Sequence, residues 1–531
     1  MNCKYFPSSL ILFVIFILSC GSPEQKPVTD TATQFSDLSF DGLIPKPVSA
    51  QTTGGVFEFS KSTSIIIETD LPELKKIGEY LANKLKPATG FPFEVVVAAG
   101  EKKMGNIYLS IEAPEKRTNK ENDEAYSLVI SKEHIDLTAG TASGLFRGLQ
   151  TILQLLPDEI ASTVARQDSW KIATGTITDY PLYGLRGSML DLGRHFFDME
   201  EVKRFIDLNA FYKMNLLHLH LSDDQGWRIE IKSWPNLTAH GGSTEVGGGK
   251  GGFYTQEQYK EIVQYALDRY IMVIPEIDMP GHTNAALSSY AELNCNKKAT
   301  KLYTGTNVGF STLCTKSEIT YKFVDDVVRE LAALTPGPYI HIGGDESHAT
   351  PKADYIPFVN RVQQIVTKYG KKIIGWDEIA LSTLAPNSVA QFWADSANSV
   401  NAVKQGAKIM MSPAKRTYLD MQYDSTTRLG LHWAGYIEVD SAYAWDPANW
   451  VKGIVKENII GIEAPLWSET ITNMEDIEYM TFPRLPGYAE IGWSPAARNW
   501  DEYKIRLGKH GKRMKAMGID YYKSPKVVWA D

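Results

Sequence analysis

Between residues 187 and 462 short apolar runs return eight times, near 187–192, 215–221, 272–277, 339–342, 372–375, 388–392, 408–411 and 459–462. Each has the length of a strand, and helical spacing of apolar residues fills many of the intervals, most clearly over 199–212, 255–269, 317–334 and 357–369. Strands alternating with helices predict a parallel sheet with crossover helices, and eight of them predict a (β/α)8 TIM barrel over 181–531. A doubly wound open sheet is the alternative that strand counting leaves standing. The preceding stretch, 43–178, has a different rhythm. Strands are expected at 64–68, 106–111, 126–130 and 134–138, the last two as a hairpin around Lys132-Glu133, with helices at 71–86 and 141–155. This is a small α/β domain with no cluster of acids, histidines or cysteines that suggests chemistry. Asp179-Tyr180-Pro181 marks its end.

A barrel of this kind places its active site at the C-terminal ends of the strands. Polar residues do follow the apolar runs: Asp191 to His195 after the first, Asp223-Asp224 after the second, Glu276 to His282 after the third, Trp376-Asp377-Glu378 after the fifth, Trp393 after the sixth, Trp467 and Glu469 after the eighth. Any barrel has polar residues there, so the chemistry has to come from the residue types. The fourth run ends in His341-Ile342-Gly343-Gly344-Asp345-Glu346, two adjacent acids behind a glycine pair. Neighbouring residues of a regular strand point to opposite faces, so the two can share one pocket only where the strand ends, and the glycines permit that bend. Paired acids in a cleft can protonate a leaving group while steadying developing positive charge. Trp376, Trp393, Trp433, Trp445 and Trp467 crowd the segment downstream, as suits a sugar site.

Composition narrows the class. The 531 residues are 43% hydrophobic and 22% charged, as in ordinary globular proteins, and suffice for a barrel plus an accessory domain. The net charge is −8 with no basic block, which excludes nucleic acid as the expected partner. The Gly247-Gly248-Gly249-Lys250-Gly251-Gly252 run lacks the spacing of a P-loop and reads as a mobile loop; no dinucleotide fingerprint is present, and no cofactor is expected. Residues 1–20 read as a targeting segment: Lys4, an apolar run from Leu10 to Leu18, then Ile17-Leu18-Ser19-Cys20 before Gly21. The run is too short to span a bilayer. It resembles a bacterial lipoprotein signal, with Cys20 as the lipidation site and a membrane anchor; an ordinary secretory signal is the other reading. Residues 21–42, rich in Ser, Thr, Pro, Gln and Asp, are expected to be a tether. Cys295 and Cys314 are then the pair left in an exported protein, and a disulfide between them is expected, with a two-thiol metal site the weaker option.

At this point the motifs form a set. Leu190-Asp191-Leu192-Gly193-Arg194-His195-Phe196, the stretch from His218 to Arg228, Pro275-Glu276-Ile277-Asp278-Met279-Pro280-Gly281-His282, the His341–Glu346 turn, Tyr418-Leu419-Asp420, Trp433-Ala434-Gly435-Tyr436 and Ala464 to Glu469 together resemble the family 20 glycoside hydrolases, the β-N-acetylhexosaminidases. Residues 43–178, with Ser143 to Gln150, resemble that family's small N-terminal domain. The resemblance implies hydrolysis of terminal β-linked GlcNAc or GalNAc with retention, in which the sugar's own acetamido group is the nucleophile. It implies Glu346 as general acid and base with a raised pKa, Asp345 as acceptor of the acetamido N–H, and Tyr418 as donor to the acetamido carbonyl. Arg194, Asp420 and Glu469 would grip sugar hydroxyls. Trp376, Trp393, Trp433 and Trp467 would wall the pocket, and Asp223, Asp278, His282 and His341 would support the acids. Trp445 is expected to pack near a loop.

Two other readings stay open from the sequence: a relative with a wider pocket that releases a disaccharide, as a lacto-N-biosidase does, and a tethered protein that binds glycans without cutting them. His218 and His220 share a strand face, but buried hydrogen-bonded histidines are common in barrel interiors, and no metal is expected. The anchor places the protein in a bacterial cell envelope, at the outer membrane.

Overall fold

The computed structural model describes residues 38–112, 122–495 and 497–530. Residues 1–20 with Cys20, and the tether as far as residue 37, lie outside the described residues. The last tether residues do not behave as one: Phe40 is 5% exposed and lies within the hydrophobic core, so the packed chain starts a few residues earlier than expected.

In the small domain β1 (Ser49–Glu58), β2 (Ile65–Ile67), β3 (Val95–Val97), β4 (Ile107–Ile111), β5 (Tyr126–Ile130), β6 (Ile135–Ala139) and β7 (Lys171–Asp179) form one mixed sheet in the order β1-β7-β5-β6-β4-β2-β3. The β5–β6 hairpin pairs Tyr126 with Ala139 through Ile130 with Ile135. Helices Pro72–Thr89 and Ala142–Leu155 pack on the sheet through Leu74, Ile77, Leu81, Leu85, Leu145, Leu149 and Ile152. The sequence reading missed β1, β3 and β7. Most of β1 is exposed and carries Thr52-Thr53-Gly54-Gly55, so it lacks an apolar alternation and is held by its pairing to β7.

The remaining strands close a parallel eight-stranded barrel: β8 (Leu185–Asp191), β9 (Leu216–His220), β10 (Met272–Glu276), β11 (Tyr339–His341), β12 (Lys372–Trp376), β13 (Val389–Phe392), β14 (Lys408–Met411) and β15 (Ile459–Leu466), with β15 pairing back to β8. This decides for the barrel over the open sheet. Helix Met199–Phe211 starts on a capping box of Asp198 with Glu201, and helix Gln256–Leu267 on one of Thr255 with Gln258. Between β12 and β13 the crossover is a 3-10 turn, Asp377–Leu381.

Side chains of period two stack in layers inside the barrel. Leu216, Ile274, Tyr339, Ile374, Val389 and Met410 fill the lower layer. Two residues further along their strands come His218, Glu276, His341, Trp376 and Gln391, so the layer above is polar. The small domain grips the opposite end. Arg147 reaches from its helix to the carbonyls of Tyr270 (2.6 Å) and Arg269 (3.3 Å), and Glu124 accepts from Arg147 (2.7 Å) and Arg186 (2.9 Å). Lys213 pairs with Asp179 at 2.9 Å. Arg147, Glu124, Arg186, Lys213 and Asp179 are buried, and they tie the base of the barrel to the accessory sheet.

Candidate active site

The turn after β11 is built by its glycines. Gly343 has φ 63° and Gly344 φ 104°, and a Cβ on Gly343 would overlap the Asp278 carboxylate. Gly344 donates its N–H to Asp278 Oδ1 at 3.0 Å. Glu346 then adopts φ 44°, a conformation that costs a non-glycine residue and gathers at functional sites. The strand has ended at His341, so Asp345 and Glu346 both face the same cavity.

That cavity lies at the C-terminal mouth of the barrel and measures about 210 Å³. Drug-sized sites run to ~300–1,000 Å³, so this one suits a single small ring. Among the described residues it is lined by Arg194, Asp345, Glu346, Trp393, Tyr418, Asp420, Trp433, Trp467 and Glu469, with Thr306, Val308 and Leu431. Trp467 is nearly buried, with the Arg194 guanidinium 4.7 Å from its ring centre. Trp433, 57% exposed, stands at the rim and meets Trp393 and Tyr418 edge to face. The Trp393 indole donates to Glu378 at 3.0 Å. Trp376 is not one of the lining residues: it is 1% exposed, donates to Glu276 at 3.0 Å and backs Trp467. Trp445 lies apart, against Trp450.

Polar atoms without a protein partner converge on this space: both oxygens of Asp420, Glu469 Oε2, Arg194 Nε and Asp345 Oδ1. Buried polar atoms in folded proteins are paired, and this set of acceptors around one guanidinium matches a hydroxylated ligand. Arg194 is fixed from behind by Asp223 at 2.9 Å and Asp191 at 3.4 Å, which hold its pKa well above the usual value in spite of burial.

Charge is distributed unevenly among the acids. Burial and the neighbouring Asp278 push Asp345 well above the ordinary carboxyl range, and Asp278 is raised as well, so this buried pair retains a proton. Burial pushes Asp420 well up too, with Glu469 adding to it, and raises Glu469 itself. Glu346 departs from the expectation drawn above. Burial raises its pKa, but the hydrogen-bonding, charged His282, then Arg194 and His348, outweigh it, and the net shift is downward. His282 stands with Nε2 3.5 Å from Glu346 and 3.7 Å from Asp345 and with Nδ1 3.2 Å from Asp223. Those carboxylates overcome burial and keep it protonated. Tyr418 is buried beside Asp345, which together with burial holds its hydroxyl protonated.

The support behind the acids is larger than expected. Asp278 and His282 touch the turn, and Asp223 reaches it only through His282; His341 accepts the Gly343 N–H at 3.1 Å but does not reach the acids. Its ring stacks on His218 at 4.5 Å, and Nδ1 lies 2.9 Å from Glu276. Glu276 and His220, which the sequence reading notes without assigning either to the site, complete this support. Thr306 and Val308 carry no chemical signal. They sit in a loop closed by the Cys295–Cys314 disulfide, which the structure contains. Some of these His and acid groups are close enough to hold a cation, His218 with Glu276 and His341 among them. His218 nevertheless already has Glu276 and Glu463 at its two ring nitrogens, 2.9 and 3.0 Å away.

Comparison with known proteins agrees with this geometry. Residues 183–496 match the glycosyl hydrolase family 20 catalytic domain, and residues 41–180 match family 20 domain 2. A β-N-acetylhexosaminidase of Cellulomonas fimi is 40% identical over 92% of this chain and 97% of its own length. A family 20 β-N-acetylhexosaminidase structure from Streptomyces coelicolor superposes with a TM-score of 0.89 at 50% identity, covering 92% of this chain and 99% of that one. A mutant Streptomyces plicatus β-hexosaminidase in complex with the product GlcNAc has the same TM-score and identity over 92% and 98%. The chain is an enzyme and belongs to glycosyl hydrolase family 20.

Proposed function

We propose that the enzyme is an exo-acting, retaining β-N-acetylhexosaminidase that removes one terminal β-linked GlcNAc or GalNAc, with the acetamido group of the substrate as nucleophile. The observation that carries this reading is the convergence of Asp345 and Tyr418 beside Glu346. An amide offers one N–H and one carbonyl; Asp345 is an acceptor for the first and the protonated Tyr418 hydroxyl a donor to the second. Trp393, Trp433 and Trp467 supply apolar walls for the ring and the acetyl methyl. Arg194, Asp420 and Glu469 close the far side on sugar hydroxyls, and a cavity of about 210 Å³ favours one sugar over a disaccharide.

The acetamido oxygen attacks the anomeric carbon as the glycosidic bond breaks and the Glu346 proton passes to the leaving oxygen. The cationic ring so formed keeps its N–H on ionised Asp345. Glu346, now a carboxylate, takes a proton from water, which opens the ring at the same carbon; two inversions give retention. Before substrate binds, the proton resides on the Asp278–Asp345 pair and Glu346 is paired with His282. An amide N–H arriving at Asp345 favours its ionised form, which makes that proton available to Glu346 next to it. The test is an aryl β-N-acetylglucosaminide beside the matching aryl β-glucoside. Cleavage of the first alone supports the reading. Cleavage of both refutes acetamide participation, and cleavage of neither turns attention to disaccharide release or binding alone.

We also propose, from residues 1–20, that the enzyme is an exported bacterial lipoprotein held to the outer membrane through Cys20. Cys20→Ser should release it from the membrane fraction; unchanged retention refutes the anchor.

A further inference from the structure

Beneath the cavity, Glu276 sits fully buried at the centre of the barrel. Its Oε2 lies 2.5 Å from His220 Nδ1 and 2.9 Å from His218 Nε2. Its Oε1 faces His341 Nδ1 at 2.9 Å and the Trp376 indole N–H at 3.0 Å. His220 continues upward, with Nε2 2.8 Å from Asp223 Oδ2. A carboxylate at each ring nitrogen needs two donors, so His220 is an imidazolium. Asp223 therefore holds three cations: His220 and Arg194 (2.9 Å) on Oδ2, and His282 (3.2 Å) on Oδ1. His282 turns its other nitrogen to Glu346.

Buried charges are costly unless each is paired, and an apolar filling would close the barrel interior at less expense. The alternation Glu276, His220, Asp223, His282, Glu346 runs unbroken from the barrel centre to the group that moves the proton, and Asp223 branches to the group that grips the sugar. We propose that His220 and Glu276 are positioning residues: by clamping Asp223 they hold the His282 ring against Glu346. Glu276 does this by keeping both ring nitrogens of His220 as donors. The inference rests on the reading of Glu346 as the general acid.

A role in placing the acid has a signature that a role in folding lacks. A 2,4-dinitrophenyl leaving group departs without protonation, whereas an unsubstituted phenyl group needs it, and kcat/KM reports the first bond-breaking step. The variants are His220→Phe, which keeps a ring against Trp467, and Glu276→Gln, which keeps the shape of the carboxylate, both in the full chain. For the phenyl β-N-acetylglucosaminide kcat/KM should fall about 10- to 100-fold, part of the ~10²–10⁴ that general acid catalysis contributes. For the dinitrophenyl substrate it should fall less than about fivefold. Equal losses on both substrates, or no loss on either, overturn the proposal. If His220→Phe does not fold, Glu276→Gln decides on the same ratio. If the unaltered enzyme cleaves neither substrate, the functional reading fails and not the clamp.

Discussion

Asp345→Asn separates the two protonation states of the residue on which the mechanism turns. In the free site Asp345 is raised well above the usual carboxyl range by burial and by Asp278. Asparagine imitates that neutral form. If the neutral form sufficed, the variant would be active. The mechanism instead places an ionised carboxylate against a cationic ring. At 7% exposure an effective dielectric of ~20 applies, and two charges ~4 Å apart then interact by about 4 kcal/mol. The asparagine carbonyl still accepts the N–H, which retains about 1 kcal/mol. The net loss of about 3 kcal/mol predicts a fall in kcat on the order of 10²-fold, with a small change in KM because the cation is absent from the ground state. Removing a buried acid beside Asp278 should leave Tm unchanged or higher. The assay is steady-state hydrolysis of an aryl β-N-acetylglucosaminide with a thermal melt of the same samples. A kcat within about fivefold of the unaltered enzyme, with folding intact, refutes the charged role of Asp345.

Three other perturbations follow. Tyr418→Phe removes one donor to an oxygen that gains charge, worth about 1.5–3 kcal/mol, and kcat/KM on the same substrate should fall about 10- to 100-fold at unchanged Tm. Replacing Cys295 and Cys314 by Ser opens a loop with a sequence separation of 19 and should lower the unfolding free energy by about 3 kcal/mol in urea titrations; a loss under ~1 kcal/mol would show that the loop is held by its packing. His510 is held to about 3 by burial and by Arg513, with Nε2 on the Gly42 carbonyl at 2.8 Å. A histidine lowered on folding stabilises fully above its unfolded pKa near 6.5 and loses that contribution as pH falls toward 3. Going from pH 7 to 4 should therefore cost the native enzyme about 3 kcal/mol more than His510→Gln, measured by denaturant unfolding, and parallel pH dependences would contradict it.

The sequence by itself determined the periodic part of the protein. Eight apolar runs at strand length, broken by helical spacing, specify a parallel sheet with crossover helices because parallel strands buried on both faces are mostly apolar; its closure into a barrel and not an open sheet was decided by the tertiary structure. The residues at the ends of those runs are local in the chain, so Arg194, Asp345, Glu346 and Glu469 could be read directly, as could the need for glycine ahead of the two acids; Tyr418 and Asp420 came only from the family resemblance. Strand β1 escaped because its exposed, glycine-containing segment derives its structure from β7, more than a hundred residues away. Only the tertiary structure decided how charge is shared. Glu346 was expected to be raised, and the direction was reversed by His282, which arrives from a different strand and is itself kept charged by Asp223. Trp376 and Trp467 look alike in the sequence; register and depth put the first beneath the pocket and the second in its wall. Glu276 and His220 look like barrel filling until the fold gathers three histidines and the Trp376 indole around one carboxylate. Electrostatic interactions of this kind depend on distances between groups remote in sequence and on their burial, and neither is written in local pattern.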